Sequence, residues 1–493
     1  MTVPSTSALF TTSSPSSSLS SLSSPPFTSV SRRIFLQRAG LASLAVAGSS
    51  VLGSCASGGG GTDGGGGAEK TDDNPFGVEP SDELSVVIFN GGYGDEYATF
   101  HEGLYTDKFA EAGINHKAIT DIRQQMQPLF NAGNPPDVLD NAGAEAMPIS
   151  VLADTGQLSD LTELFDAESI GFDGATVRDT LVPDAIESAD YEGKPLVLNY
   201  ALQVYGLWYD RALFDEMGWE PAETWEDFLS LCAEIKSAGI APLAHQGKYP
   251  YYIEQLVFDM AVKHGGKEIA YAIDSLDAGA WQSDSMRMAA DALLELKSKG
   301  YILEGTEGLD HIQSQTQWNQ GKAAFIPCGS WLENEQKSVA PKGFQTTVAP
   351  TPLLPDSALP FECTRLESAE AFIVPTKAAN RVGGLEYLRI MLSKEGAGEF
   401  TKLTSAPTIV LGAADGLDLS PGATSATALI ESGGDNNWNY FYDKWYTPMR
   451  PKIETAIGEL AAGRVTADEF CAQAQQAADE TAEDPKTKKR TRS

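Results

Sequence analysis

The sequence predicts an α/β protein organised as two lobes, and three observations carry that expectation. A chain of 493 residues is too long to be served by one hydrophobic core. Short β-rich runs alternate with segments of helical spacing, the pattern of βα units. Hydrophobic residues make up 42% and charged residues 21%, the balance of an ordinary globular protein. The 35 Lys and Arg against 68 Asp and Glu leave a formal charge of −33. So large an excess repels phosphate backbones and argues against nucleic acid as a partner.

Residues 1–30 are rich in Ser and Thr. Arg32 and Arg33, followed by Ile34, Phe35, Leu36 and Gln37, resemble a twin-arginine export signal. Residues 39–53 are uncharged and weakly apolar, and too short to span a bilayer. Leu52, Gly53, Ser54 and Cys55 then match the bacterial lipobox, which needs small residues before the cut and a thiol to carry diacylglycerol. Residues 1–54 are therefore expected to be a twin-arginine lipoprotein signal with a Ser/Thr-rich leader, whose length leaves the true translation start open. Cys55 becomes the mature N-terminus and the lipid anchor, since two or more acyl chains hold a protein at a membrane. Residues 55–80 follow as a lipidated cysteine and a flexible glycine-rich tether.

The other cysteines are Cys232, Cys328, Cys363 and Cys471, and no C-x-x-C occurs to suggest structural zinc or a redox motif. Cys232 keeps core-facing spacing with Trp225, Phe228, Leu229 and Ile235. A Cys328–Cys363 bridge is compatible with an address outside the cell. Folding in a reducing compartment before twin-arginine export argues against it.

Along the mature chain, 84–90 reads as a first strand leading into the glycine-rich loop "GGYGDEY". Helical spacing over 95–113 stops at Gly113, and 116–120 reads as a second strand. Residues 122–143 give helix, Pro-bracketed turn, strand and loop. An extended apolar and aromatic run occupies 193–219, where Trp208 is expected in the core, as is Trp225 beyond it. Thr224 caps a helix that ends at Gly239. Further helices are expected over 285–302, 384–402 and 466–484, a helix, strand and loop over 316–336, and a strand over 371–375. The alternation implies mainly parallel sheets covered by helices on both faces.

Segments "NPPDVLDNAG", "LNYALQVYGLWYDRALF", "TWEDFLSLCAEIKSAGIAPL", "WNQGKAAFIPCGSW" and "EYLRIMLSKEGAGEF", in this order, resemble family 1 extracellular solute-binding proteins, the sugar receptors of ABC importers. "NPFGV", "VIFNGGYGDEY", "GKYPYY" and the long block 301–337 are closer to actinobacterial N-acetylglucosamine/diacetylchitobiose-binding lipoproteins. The resemblance spans roughly residues 74–470. It implies a type II, maltose-binding-protein-like periplasmic-binding-protein fold with its ligand in a cleft between the lobes. Lobe 1 is then expected from 81–203 and 350–390, and lobe 2 from 204–349 and 391–480, with chain crossings near 200–206 and 347–351. Residues 481–493 are left as a basic disordered tail. The resemblance further implies a monomer on the outer face of the cell membrane, binding N-acetylglucosamine, diacetylchitobiose or both. It would deliver the sugar to importer permease subunits and need no cofactor or metal. A receptor for another oligosaccharide and a secreted glycosidase are the alternative readings.

A sugar packs its C–H faces on aromatic rings and bonds its hydroxyls to polar side chains. Tyr93, in the loop after the first strand, and Asp140 and Asn141, after "DVL", suit that chemistry at strand ends. The resemblance adds Trp331 and Tyr251 as stacking rings, Gln203 as a hydroxyl ligand, and Trp438 and Tyr442 as a further aromatic pair. A glycosidase would add two carboxylates at a set separation. Glu333 with Glu335, or Asp95 with Glu96, are available, yet acids this abundant form such pairs by chance. The histidines make no H-E-x-x-H, and neither a G-x-S-x-G elbow nor a phosphate loop is present. No residue is assigned a catalytic role.

Overall fold

The computed structural model describes residues 68–492, apart from 144, 183, 184 and 192. The export signal, the lipobox and Cys55 lie outside the described residues. The main strands in chain order are β1 (Leu84–Phe89), β2 (Ile114–Ile119), β3 (Val138–Asp140), β4 (Leu198–Val204), β5 (Gly206–Asp210), β6 (Ala241–Leu243), β7 (Ala323–Cys328), β8 (Thr346–Ala349) and β9 (Leu366–Ile373). They form a five-stranded sheet, β2-β1-β3-β9-β4, and a four-stranded sheet, β8-β5-β7-β6.

Each sheet has its own core. On β1 the period-2 pattern sends Leu84, Val86 and Ile88 to one face, where they meet Tyr97, Tyr105, Leu388 and Phe400. Val87 points to the other face, against Ile122, Met126 and Leu152. The second core gathers Phe228, Cys232 and Ile235 with Val257, Leu293 and Phe325. Trp208 and Trp225 are both buried, as the sequence predicts. The Thr224 hydroxyl accepts from Asp227 N–H at 3.2 Å, and Gly239 ends that region with φ of 86°.

Several expectations are corrected. The sheets are mixed rather than mainly parallel: β1 runs parallel to β2 and β3, and β6 to β7, but β9 is antiparallel to β3 and β4, and β5 to β7 and β8. A strand that enters from the other sheet arrives without a crossover helix, so it is free to pair antiparallel. The helix expected over 384–402 is two helices, Arg381–Met391 and Lys394–Thr404, parted at Ser393, whose side chain accepts from Gly396 N–H. Residues 392–413, assigned to lobe 2, instead pack in the first core through Leu392, Phe400, Ile409 and Val410. The end of the tether is also packed, with Phe76 and Val78 buried there. The basic tail docks as well: Arg492 is buried and paired with the buried Asp274 at 3.1 Å. Cys328 and Cys363 are free, buried thiols.

The first crossing falls at Tyr205, between β4 and β5, inside the expected range. Gly206 permits it, because a Cβ there would lie 2.6 Å from the Ala349 carbonyl oxygen. The second comes later than expected. Leu354 and Leu359 still pack with the second core, and the chain joins the first sheet at Leu366.

Candidate functional site

Where the two crossings meet, a cavity of about 240 Å3 opens, lined among others by Gln203, Tyr205, Tyr251, Trp331, Arg365 and Glu367. A groove of about 510 Å3 elsewhere, around Lys70, Glu163 and Arg381, offers Phe76 alone as an aromatic lining and stands away from the crossings. The strand register explains the convergence at the smaller cavity. Glu367 on β9 pairs directly with Gln203 on β4, so the two side chains leave the same face of the sheet.

Trp331 follows a turn made by Gly329 and Ser330. A Cβ on Gly329 would lie 1.9 Å from the Trp331 ring, so the indole lies where only glycine leaves room. The Ser330 hydroxyl donates to Leu202 O and accepts from Val204 N–H, both at 3.2 Å, tying this turn to β4 of the other sheet. The half-buried indole stands edge-on to Tyr205, with centroids 5.6 Å apart at 79°. Tyr251 opens the helix Tyr251–Gly265 and stands edge-on to Tyr252 at 4.8 Å. On the short helix after Trp331, the Asn334 side-chain amide donates to the Gly92 carbonyl of the loop after β1.

Arg365 occupies the floor. Its guanidinium lies 3.8 Å from the Tyr440 ring centroid and 4.6 Å from that of Tyr205. It donates to Gln255 Oε1 at 2.6 Å, Glu367 Oε2 at 2.8 Å and Asn439 Oδ1 at 3.0 Å. The Tyr205 hydroxyl lies 2.6 Å from Glu367 Oε2 and 3.0 Å from Gln203 Oε1. Burial would raise the Glu367 pKa, but Arg365 and then Lys444, at 2.9 Å, hold it well below the usual carboxylate range. Glu254, which also lines the cavity, has no such cation bonded to it, and burial pushes it up to about 7.

The remaining predicted residues divide. Tyr93 stands beside Gln203 and Glu370, with its hydroxyl buried and unpartnered. Asp140 accepts from the Tyr97 hydroxyl at 3.1 Å, leaves Oδ1 unpartnered, and is pushed up to about 7 by burial. Asn141 is a brace: its amide donates to Met147 O at 2.9 Å and accepts from Met147 N–H at 2.8 Å. Trp438 is buried with its indole N–H on Asp259 Oδ1 at 2.9 Å. Tyr442 is buried too, bonded to Glu254 and stacked on Phe258 at 14°. None of Tyr93, Asp140, Asn141, Trp438 and Tyr442 lines the cavity; Tyr93 packs against the first core and the last two lie in the second. Tyr205, Glu254, Gln255, Arg365, Glu367, Tyr440, Asp443 and Arg450 line it without having been picked out. Only the alternation Arg365-x-Glu367, two charges on one strand face, could have signalled them.

Three of the four carboxylates considered for catalysis are engaged elsewhere. Glu333 accepts from the Ser420 hydroxyl at 2.5 Å and from Gly422 N–H at 3.2 Å, at the start of the helix Pro421–Gly433. Glu335 accepts from the Gln315 amide at 2.7 Å, and Asp95 lies 3.4 Å from His116.

The sequence profile of bacterial extracellular solute-binding proteins matches residues 94–398. The chain is 35% identical over 382 residues to the diacetylchitobiose binding protein NgcE of Streptomyces coelicolor, covering 77% of this chain and 80% of that one. It is 28% identical over 214 residues to a probable sugar-binding periplasmic protein of Mesorhizobium japonicum, covering 43% and 48% of the two chains. Among solved structures, apo RafE from Streptococcus pneumoniae superposes with a TM-score of 0.65 at 15% identity, over 82% of this chain and 99% of that one. A chitin oligosaccharide binding protein gives a TM-score of 0.63 at 18% identity, over 80% and 98%. At these identities the two superpositions speak for the two-lobed fold.

Proposed function

The chain belongs to the bacterial extracellular solute-binding proteins, and from that premise we propose that it is the sugar receptor of an ABC importer, binding diacetylchitobiose, N-acetylglucosamine or both. The observation that carries this reading is the pairing of two aromatic rings, Trp331 and Tyr251, with Gln203 and Glu367 around one cavity at the chain crossings. That is the mixed apolar and polar surface a sugar requires. The relationship to a diacetylchitobiose binding protein supports the choice of sugar.

In this reading Cys55 anchors the protein to the outer face of the cell membrane after twin-arginine export. The receptor acts as a monomer without cofactor or catalysis. Sugar bridging both sheets favours the closed arrangement by its differential affinity, with the chain bending at Tyr205 and Arg365. The closed complex then docks on the permease, and ATP is hydrolysed by separate subunits.

Thermal unfolding of the body from about Asp73 onward tests the proposal, without sugar and with N-acetylglucosamine, diacetylchitobiose, glucose, cellobiose and maltose. A ligand at a hundredfold over its Kd adds about 2.7 kcal/mol, a rise of a few degrees for a protein this size. A rise confined to the acetylated sugars, recovered intact, is the expected result. A rise with another sugar alone would replace the ligand, and cleavage of the sugar would replace the receptor with a glycosidase.

A further inference from the structure

Besides Glu254, the cavity is lined by four acidic or basic side chains, Arg365, Glu367, Asp443 and Arg450. The first two are joined to each other and to neighbours. The second two are not joined to each other. Asp443 Oδ1 is buried without a hydrogen-bond partner. Arg450 uses its Nε on Glu454 at 2.8 Å and is paired there rather than with Asp443. Both side chains line the same cavity. The buried Asp443 Oδ1 is costly to leave unsatisfied unless a ligand completes it, while Arg450, half-exposed on the same cavity, is bonded to Glu454 through Nε.

We propose that Asp443 and Arg450 form an amide-binding seat, Asp443 accepting the N–H and Arg450 donating to the C=O of a ligand acetamido group. This rests on the sugar-receptor reading and gives it a reason to prefer N-acetylated sugars. A trans amide is planar and presents its donor and its acceptor on opposite edges. It can therefore bridge two groups that do not reach each other. A hydroxyl offers both roles at a single oxygen and cannot serve separated partners as well. A ligand carboxylate would suit Arg450 but would meet the like charge of Asp443. Both residues sit close in the chain, Asp443 on the helix Tyr442–Trp445 and Arg450 at the start of Arg450–Ala461. The seat is thus built on the same side as Tyr440, beside the sandwiched Arg365.

The test is calorimetric titration of diacetylchitobiose, cellobiose and fully de-acetylated chitobiose into the unmodified protein, D443A and R450M. The three sugars share one β-linked skeleton and differ at the acetamido position. The unmodified protein is expected to favour diacetylchitobiose at least tenfold. Loss of a hydrogen bond to a charged group corresponds to about 10- to 100-fold in affinity. Each variant should lose that much for diacetylchitobiose and less than about threefold for cellobiose, narrowing the gap. Equal losses for both sugars, or unchanged diacetylchitobiose affinity, would overturn the seat while leaving the receptor reading intact. If a variant does not fold, the ligand series on the unmodified protein still decides: de-acetylated chitobiose binding within threefold of diacetylchitobiose overturns the proposal. Binding of none of the three sugars would overturn the seat and the proposed ligand together, whereas tighter binding of glucuronate would replace the amide with a carboxylate.

Discussion

Glu367 and Glu370 stand three residues apart on β9, and they reach neutrality by opposite means. Glu367 meets Arg365 and Lys444 and stays ionised far below the ordinary carboxylate range, although burial alone would raise it. Glu370 faces Asp140, and burial together with that second carboxylate pushes it well above the ordinary value. Its backbone adopts φ of 57°, a left-handed conformation uncommon for a residue with a side chain. One strand thus carries two acids, and the sign of the nearest partner decides whether each keeps a charge or a proton.

The sharpest way to break the contrast is Arg365→Met, which leaves Glu367 buried beside Tyr205 with only the half-exposed Lys444. Removing one partner of a buried pair costs about 3–5 kcal/mol. Chemical denaturation should show a loss of that order, together with loss of sugar binding; a loss under 1 kcal/mol would mean that Arg365 does not hold the floor together.

The second prediction concerns pH. Asp140 titrates near 4 when unfolded and is raised to about 7 in the fold, so between these values the native state binds a proton the unfolded chain lacks. That contribution is present at low pH and is lost as pH rises from about 4 to 7, by up to about 1.4 kcal/mol per pH unit. Asp140→Asn should flatten the stability profile over that window. A profile unchanged by the substitution would assign the proton elsewhere, first to Glu370, which faces Asp140, and then to Glu254 and Asp274, also raised to about 7.

Third, Trp331→Ala removes a wall of the cavity without touching either acid. Its stacking is worth about 1–3 kcal/mol, so affinity should fall at least tenfold by calorimetry, with the pH profile of stability unchanged. Last, Lys444→Met should cost less than about 1 kcal/mol, because its side chain is 32% exposed and the pair is screened by water. A larger loss would promote Lys444 from an accessory partner to an equal of Arg365.

Much of the fold was legible because its signals are local. The cap at Thr224, the stop at Gly239 and the period-2 burial of β1 each depend on a few neighbouring residues. Trp331 and Gln203, marked in the sequence by a turn and a recognisable segment, line the cavity. What escaped was assembled over long separations. Arg365 meets Gln255 and Asn439, and Tyr440 meets Gln255, which no spacing rule connects. The tail was misread for a related reason: five basic residues between 486 and 492 look solvated until Asp274 is known to lie buried opposite Arg492. Trp438 and Tyr442 were assigned to ligand from the resemblance, but their polar ends are taken by Asp259 and Glu254 inside the second core.

The bond from Asn334 to the Gly92 carbonyl has a kinetic consequence. It joins a side chain of one sheet's surround to a main-chain atom of the other's, so what it recognises is the position of a loop rather than the identity of a residue. A contact of that kind adds to the barrier for opening and leaves the sugar's own contacts untouched. In the proposed receptor, residence time and preference among sugars would then rest on different parts of the molecule, the first in part on position 334.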